Sequence, residues 1–179
     1  NCGENLTWSF DESSSTLTIS GTGEMETFDE GSPPWGRLNV EKVIIENGVT
    51  SVAELAFSWN ENLKSVSFPD TLISIGDHAF DGCSNLSDLI LPNGLKSIGS
   101  MAFWNCDSLS TIYIPQSVTN IGDVAFTECS ALTTISVDKN NSKYCSVDGV
   151  LYSKDQTILE CYPAGKSGAS YTIASNVTQ

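Results

Sequence analysis

The chain has 179 residues, 40% of them hydrophobic, enough for one folded domain with a real core. Its 22 acidic and 8 basic residues leave a net charge of −14, which opposes partners held by phosphate neutralisation and so excludes nucleic acid and anionic membrane surfaces. No apolar run approaches the ~18 residues needed to cross a bilayer, so no membrane insertion is expected.

Apolar and polar residues alternate over 6–10 (LTWSF) and again over 17–20 (LTIS), on either side of a polar turn at 11–15. That pattern predicts a β-hairpin carrying Trp8, Phe10, Leu17 and Ile19 on one face. Residues 21–36 are rich in Gly and Ser, contain Pro33-Pro34, and read as a connecting loop with Trp35 packed down as an anchor.

A strict period then sets in. Phe57, Phe80, Phe103 and Phe126 are each 23 residues apart, preceded five positions earlier by Val52, Ile75, Ile98 or Ile121 and followed six later by Leu63, Leu86, Leu109 or Leu132. Val40, Val43 and Ile45 stand one period before Leu63, Val66 and Phe68, so the first repeat strand begins there. The apolar pairs Val66/Phe68, Leu89/Leu91, Ile112/Ile114 and Ile135/Val137 alternate with polar residues, the period of a half-buried strand. Pro69, Pro92 and Pro115 close three of these strands, since proline has no N–H to donate. Gly76, Gly99 and Gly122 then turn the chain, and Asp77, Ser100 or Asp123 is placed to cap a short helical turn bearing Ala-Phe.

One repeat buries about seven apolar side chains at ~1.5–3 kcal/mol each. Ordering its backbone costs roughly 1–2 kcal/mol per residue, so a lone repeat cannot fold and stacking is obligatory. The sequence therefore predicts a solenoid of coils joined by parallel ladders, with the N-terminal hairpin over residues 1–39 as its cap.

After Val137 the register breaks. Residues 138–143 form a polar loop, and residues 147–152 and 157–161 are expected to pair as an inserted hairpin within 138–170. Tyr171, Thr172 and Ile173 resume the repeat strand, so 171–179 is the start of a further repeat and the natural protein is expected to continue.

The stretch from Ile98 to Val118 follows IGxxAFxxCxxLxxIxIPxxV and resembles the BspA-like bacterial leucine-rich repeat, a likeness covering 40–137. The first copy departs from it with Ala53 in place of Gly and Asn60 in place of Cys. The resemblance implies a right-handed α/β leucine-rich-repeat solenoid of about 23-residue repeats, with short parallel strands and short helical turns. It further implies a bacterial cell-surface or secreted protein, its signal peptide removed, in which the module recognises an extracellular or host protein, as in adhesion. An architectural spacer in a larger surface protein is the alternative reading, and a glycan-active enzyme a third.

Cys83, Cys106 and Cys129 recur at one inward position and read as buried free thiols, whereas Cys145 and Cys161 flank the inserted hairpin and could pair. Cys2 has no evident partner. His78 replaces Leu55, Met101 or Val124 of the other copies and is read as structural. No nucleophile stands in a recognisable constellation with it, no catalytic residue is assigned, and no cofactor is expected. Asp138, Asn140 and Asp148 lack the spacing of a calcium loop, so no metal is expected either.

The candidate binding surface is the outward face of the repeat strands. Ile44, Ser67, Ile90, Tyr113 and Ser136 form one column across it, and Lys42, Ser65, Asp88, Thr111 and Thr134 another. Ile90 beside Tyr113 is an apolar pair on a face otherwise polar, the composition of a protein-binding patch on a monomer. Trp59 and Trp104, near the helical turns at unequal phases, are read as edge packing or a second patch.

Overall fold

The computed structural model describes residues 1–28, 33–168 and 170–178. Strand β1 (Leu6–Asp11) pairs antiparallel with β2 (Thr16–Gly21), setting Trp8 opposite Ile19 and Phe10 opposite Leu17. On its other side β2 lies parallel to β3 (Lys42–Ile45), with Leu17 beside Val43 and Ile19 beside Ile45. The hairpin therefore does more than cover the first coil, because its second strand stands where a repeat strand would and starts the ladder.

From β3 the front sheet continues in parallel through β5 (Ser65–Ser67) to β7 (Asp88–Leu89), and separately through β9 (Thr111–Ile114) to β11 (Thr134–Val137). A second parallel ladder joins β4 (Ser51–Val52), β6 (Ser74–Ile75), β8 (Ser97–Ile98) and β10 (Asn120–Ile121). Partners in both ladders are one 23-residue period apart, so each coil presents the same face to the next.

The expected short helical turns are absent: the described residues contain no helix. Each Ala-Phe is flanked instead by left-handed residues, Leu55 and Trp59 (both φ 58), His78 and Gly82 (φ 52 and 71), Met101 and Asn105 (φ 53 and 55), Val124 and Glu128 (φ 51 and 61). Alternate N–H groups leave the coil. Leu55, Phe57 and Trp59 donate to Asp77, Ala79 and Asp81 of the next coil, and the following two coils repeat this, with Phe80 donating to Ala102 and Phe103 to Ala125. Intervening N–H groups close i→i−3 turns, as Ala56 does to Ala53 and Ser58 to Leu55. A helix would satisfy these donors locally; the stack uses half of them as a third ladder between coils.

Asp77 likewise serves its neighbour, its Oδ1 accepting the Ser100 N–H at 2.7 Å. The glycines before these arcs are needed for close approach. A Cβ at Gly99 would lie 2.5 Å from Asp77 N and Gly76 C, and one at Gly122 2.3 Å from Ser100 N. Ala53 stands at this position only in the first coil, which has no regular coil before it.

Inside the stack the phenylalanines form one column. Trp35 stacks on Phe57 at 5.5 Å, followed by Phe80, Phe103 and Phe126 at successive centroid distances of 5.2, 5.3 and 5.7 Å. Trp35 is held there by its Nε1–H, which donates to Ala56 O at 2.8 Å. Beside the rings the Cys83, Cys106 and Cys129 thiols donate to the carbonyls of Phe57, Phe80 and Phe103, at 3.1, 3.3 and 3.1 Å. A small side chain with one weak donor suits a buried site facing a spare carbonyl.

Beyond Val137 the repeat register persists to Tyr144. Asn141 stands 23 residues after Val118 and is 1% exposed; its amide donates to Pro115 O and Val118 O, while its Oδ1 accepts from Lys143 N and Tyr144 N. Tyr144, 23 residues after Ile121, accepts the Ile121 N–H on its hydroxyl. The inserted segment is then a three-stranded antiparallel sheet, β12 (Tyr144–Val147), β13 (Val150–Ser153) and β14 (Leu159–Cys161), rather than one hairpin. Asp148 and Gly149 (φ 51 and 80) make the two-residue turn between the first two strands. This turn lies along the free edge of β11, with Ile135 N donating to Gly149 O, and so blunts an edge otherwise open to pairing.

Cys145 and Cys161 are unpaired: β13 lies between their strands, and they sit opposite Tyr152 and Leu151 respectively, hence on opposite faces. Tyr171, Thr172 and Ile173 form no strand, and Ile173 is half exposed. The turn after them does recur, Val177 N donating to Ala174 O as Val118 N does to Pro115 O.

Candidate binding surface

The ladder register aligns the outward columns. Lys42, Ser65 and Asp88 are successive partners, as are Ile44 and Ser67, Thr111 and Thr134, and Tyr113 and Ser136. Between β7 and β9 the described residues show no strand pairing, so the columns are interrupted between Asp88 and Thr111 and between Ile90 and Tyr113. Here Leu89 is only half buried, whereas its counterparts Val66, Ile112 and Ile135 are in the core.

The break opens a cleft of about 490 Å³ whose walls include Val66, Phe68, Asp88, Ile90, Pro92 and Tyr113. Ile90 is 77% exposed and Tyr113 49%, and neither the N-terminal hairpin nor the inserted sheet covers them. Phe68 enters from below, its ring edge-on to Phe80 at 5.9 Å. Phe68 and Pro92 were expected as strand core and strand terminator. Their share in the cleft follows from the gap, which the regular period conceals.

The Tyr113 ring is tethered, its hydroxyl donating to Asp138 Oδ2 at 2.7 Å. That bond raises the Tyr113 pKa and lowers that of Asp138, whose carboxylate also accepts the Asn140 N–H. Asp138 is thus committed to protein donors. Among the described residues no three His, Cys, Asp or Glu side chains gather as metal ligands.

His78 bonds through Nδ1 to Asp81 Oδ2 at 2.8 Å. Asp81, unremarked in the sequence, is buried with Oδ1 unpartnered among the described residues.

A second cleft, of about 670 Å³, lies on the far side from the sheet between the loop of Trp35 and the coil of Phe57. Trp59 forms its rim, 60% exposed and edge-to-face with the half-buried Trp104 at 6.4 Å. Glu61 is the one carboxylate among the described lining residues.

No helix of the described residues is long and apolar enough to cross a membrane. No curated protein matches the chain. Among solved structures, a leucine-rich repeat protein from Eubacterium ventriosum is 32% identical over 99% of this chain and 54% of its own length, with a TM-score of 0.78. A leucine-rich repeat protein from Bacteroides capillosus is 32% identical over 75% of this chain and 94% of its own, with a TM-score of 0.52. The pneumococcal vaccine antigen PcpA shares the fold at 22% identity, over 98% of this chain and 58% of its own, with a TM-score of 0.61. The chain thus spans about half the length of the E. ventriosum protein. The repeat family and its fold are typically non-catalytic. With six copies of the BspA-type leucine-rich repeat matched over residues 35–147, the span that holds the Phe column and both ladders, the chain belongs to the BspA-type leucine-rich-repeat family.

Proposed function

We propose that the chain is a non-catalytic protein-recognition module, acting in adhesion as part of a bacterial cell-surface or secreted protein, with an extracellular or host protein as partner. The observation that carries this reading is the cleft at the ladder gap, where Ile90 and Tyr113 stand exposed on a sheet face whose other outward residues are mostly polar. Large exposed apolar groups around a tethered tyrosine form the kind of centre at which binding energy concentrates. The architectural-spacer reading draws on the remaining outward positions, Ser65, Ser67, Thr111, Thr134 and Ser136, which have little to offer a partner.

The two readings separate in a binding screen against extracellular-matrix proteins, run with the intact chain and with Tyr113→Ala and Ile90→Ser. Recognition through this face predicts at least about tenfold weaker binding in both variants, the loss of one well-buried contact worth ~1.4 kcal/mol. Full retention of binding in both would remove the sheet face as the site, and no binding by the parent chain would favour the spacer.

A further inference from the structure

We propose that the cleft beside Trp59 is a binding site for a neutral oligosaccharide, independent of the sheet face. Trp59 is an unusual residue for its position. Its backbone is left-handed, and two of the three later coils fill this position with the residues that accept such a conformation most easily, Gly82 and Asn105. It adds nothing to the Phe column and leaves 60% of the largest apolar side chain in water. A residue that breaks local rules without a structural return marks a functional position.

The ring is nevertheless fixed. It lies on the backbone of Gly82, where a Cβ would come within 2.7 and 2.8 Å of Trp59 Cε3 and Cδ2, and Trp104 meets it edge-on. A side chain at residue 82 would push the indole off this seat. A pinned aromatic with its remaining surface open is a pre-formed platform, and little ordering cost remains at binding.

The chemistry around it selects the ligand. Among the described lining residues are Arg37, Asn39, Asn60, Glu61 and Asn62, three neutral amides with one charge of each sign. An amide both donates and accepts, as a sugar hydroxyl does, and the C–H face of a pyranose stacks on an indole. Asn60 stands where the later coils bury a cysteine, so the first coil gives up a core thiol for an amide at the cleft. A net charge of −14 disfavours anionic glycans, and a volume of about 670 Å³ falls in the ~300–1,000 Å³ range of small-ligand sites.

The test is titration of the intact chain with cellotetraose, chitotetraose and maltotetraose at millimolar concentration, followed by tryptophan fluorescence and calorimetry. Saturable binding of at least one sugar is expected. It should fall at least about tenfold in Trp59→Gly, which suits the left-handed backbone as Gly82 does and should keep its melting transition, and several-fold in Asn60→Ala. Thr119→Ala, just before β10 of the second ladder, should bind as the parent does. The proposal is overturned if none of the three sugars saturates, if Trp59→Gly binds as tightly as the parent, or if a proline-rich peptide saturates the tryptophan signal where the sugars do not.

Discussion

Replacing Phe103 with alanine removes the central ring of the column and tests the stacking directly. The side chain is fully buried between Phe80 and Phe126, at centroid distances of 5.3 and 5.7 Å and nearly parallel to both, at 2° and 6°. Truncating a buried phenylalanine costs about 3–5 kcal/mol, of which each aromatic pair supplies roughly 0.5–1.5 kcal/mol beyond burial. The column cannot collapse into the void, because the coil spacing is set by the backbone and not by the rings: the second ladder and the arc hydrogen bonds join the coil of Phe103 to both neighbours, and the β9–β11 pairing also joins it to the next. A loss of about 4 kcal/mol is therefore expected, a large part of the ~5–15 kcal/mol that stabilises a folded domain. With a urea dependence of roughly 2 kcal/mol/M, the unfolding midpoint followed by far-UV circular dichroism should fall by about 2 M. Phe126→Ala is the internal comparison: among the described residues Phe126 has one ring neighbour, Phe103, so it should lose about 1 kcal/mol less. A loss below about 1.5 kcal/mol for Phe103→Ala, or an equal loss for Phe126→Ala, would refute the stacked column as the source of cohesion.

Two further outcomes follow from the way coils approach and what they bury. Gly99→Ala sets a methyl 2.5 Å from backbone atoms of the preceding coil, which cannot yield separately; a cost of at least ~2 kcal/mol, read as a melting temperature lower by about 4 °C or more, is expected. Burial pushes the thiols of Cys83 and Cys129 up to about 12 from an ordinary 9.0. The folded chain then keeps protons that the unfolded chain releases, so stability is full below pH 9.0 and falls as pH rises from 9.0 toward 12. The slope approaches about 1.4 kcal/mol per pH unit per thiol. Urea midpoints measured between pH 8 and about 11 should show this decline, and a Cys83→Ala, Cys129→Ala chain should show a flatter one; an equal slope in both chains would contradict the assignment.

Much of this architecture is legible in the sequence because its determinants are periodic. A phenylalanine every 23 residues fixes the column, and the inward residues of each strand follow in phase. Trp35 as anchor and the hairpin of Trp8, Phe10, Leu17 and Ile19 also rest on short-range patterns, and both stand in the structure. The arcs were misread as helical for a physical reason. Leu55, His78, Met101 and Val124 adopt left-handed backbone with none of the glycine or asparagine that announces it, because the hydrogen bonds that hold them come from the next coil. Asp148-Gly149, by contrast, carries the sequence of a two-residue hairpin turn, and the break between the first two inserted strands falls there. The register past Val137 was hidden because Asn141 and Tyr144 replace aliphatic residues and meet their polar needs inside the stack.

The departures from the repeat carry as much information as the repeat itself. In the coil of Phe80 both inward strand residues are leucine, Leu89 and Leu91, where the other copies use β-branched residues or phenylalanine: Val66, Phe68, Ile112, Ile114, Ile135 and Val137. Leucine fits a pleated surface less well than a β-branched or aromatic residue, and it is after this strand that the ladder opens and the cleft of Ile90 and Tyr113 forms. In the coil of Phe57 the departures are Ala53, Trp59 and Asn60, and the last two line the other cleft. Both clefts thus lie at coils where the consensus fails. A solenoid stabilised by interfaces between neighbours can tolerate such local failures, because each loosened contact is bordered by intact ones. The consensus residues build the column and the exceptions shape its surface, so the exceptions are where substitution should change binding while leaving the fold in place.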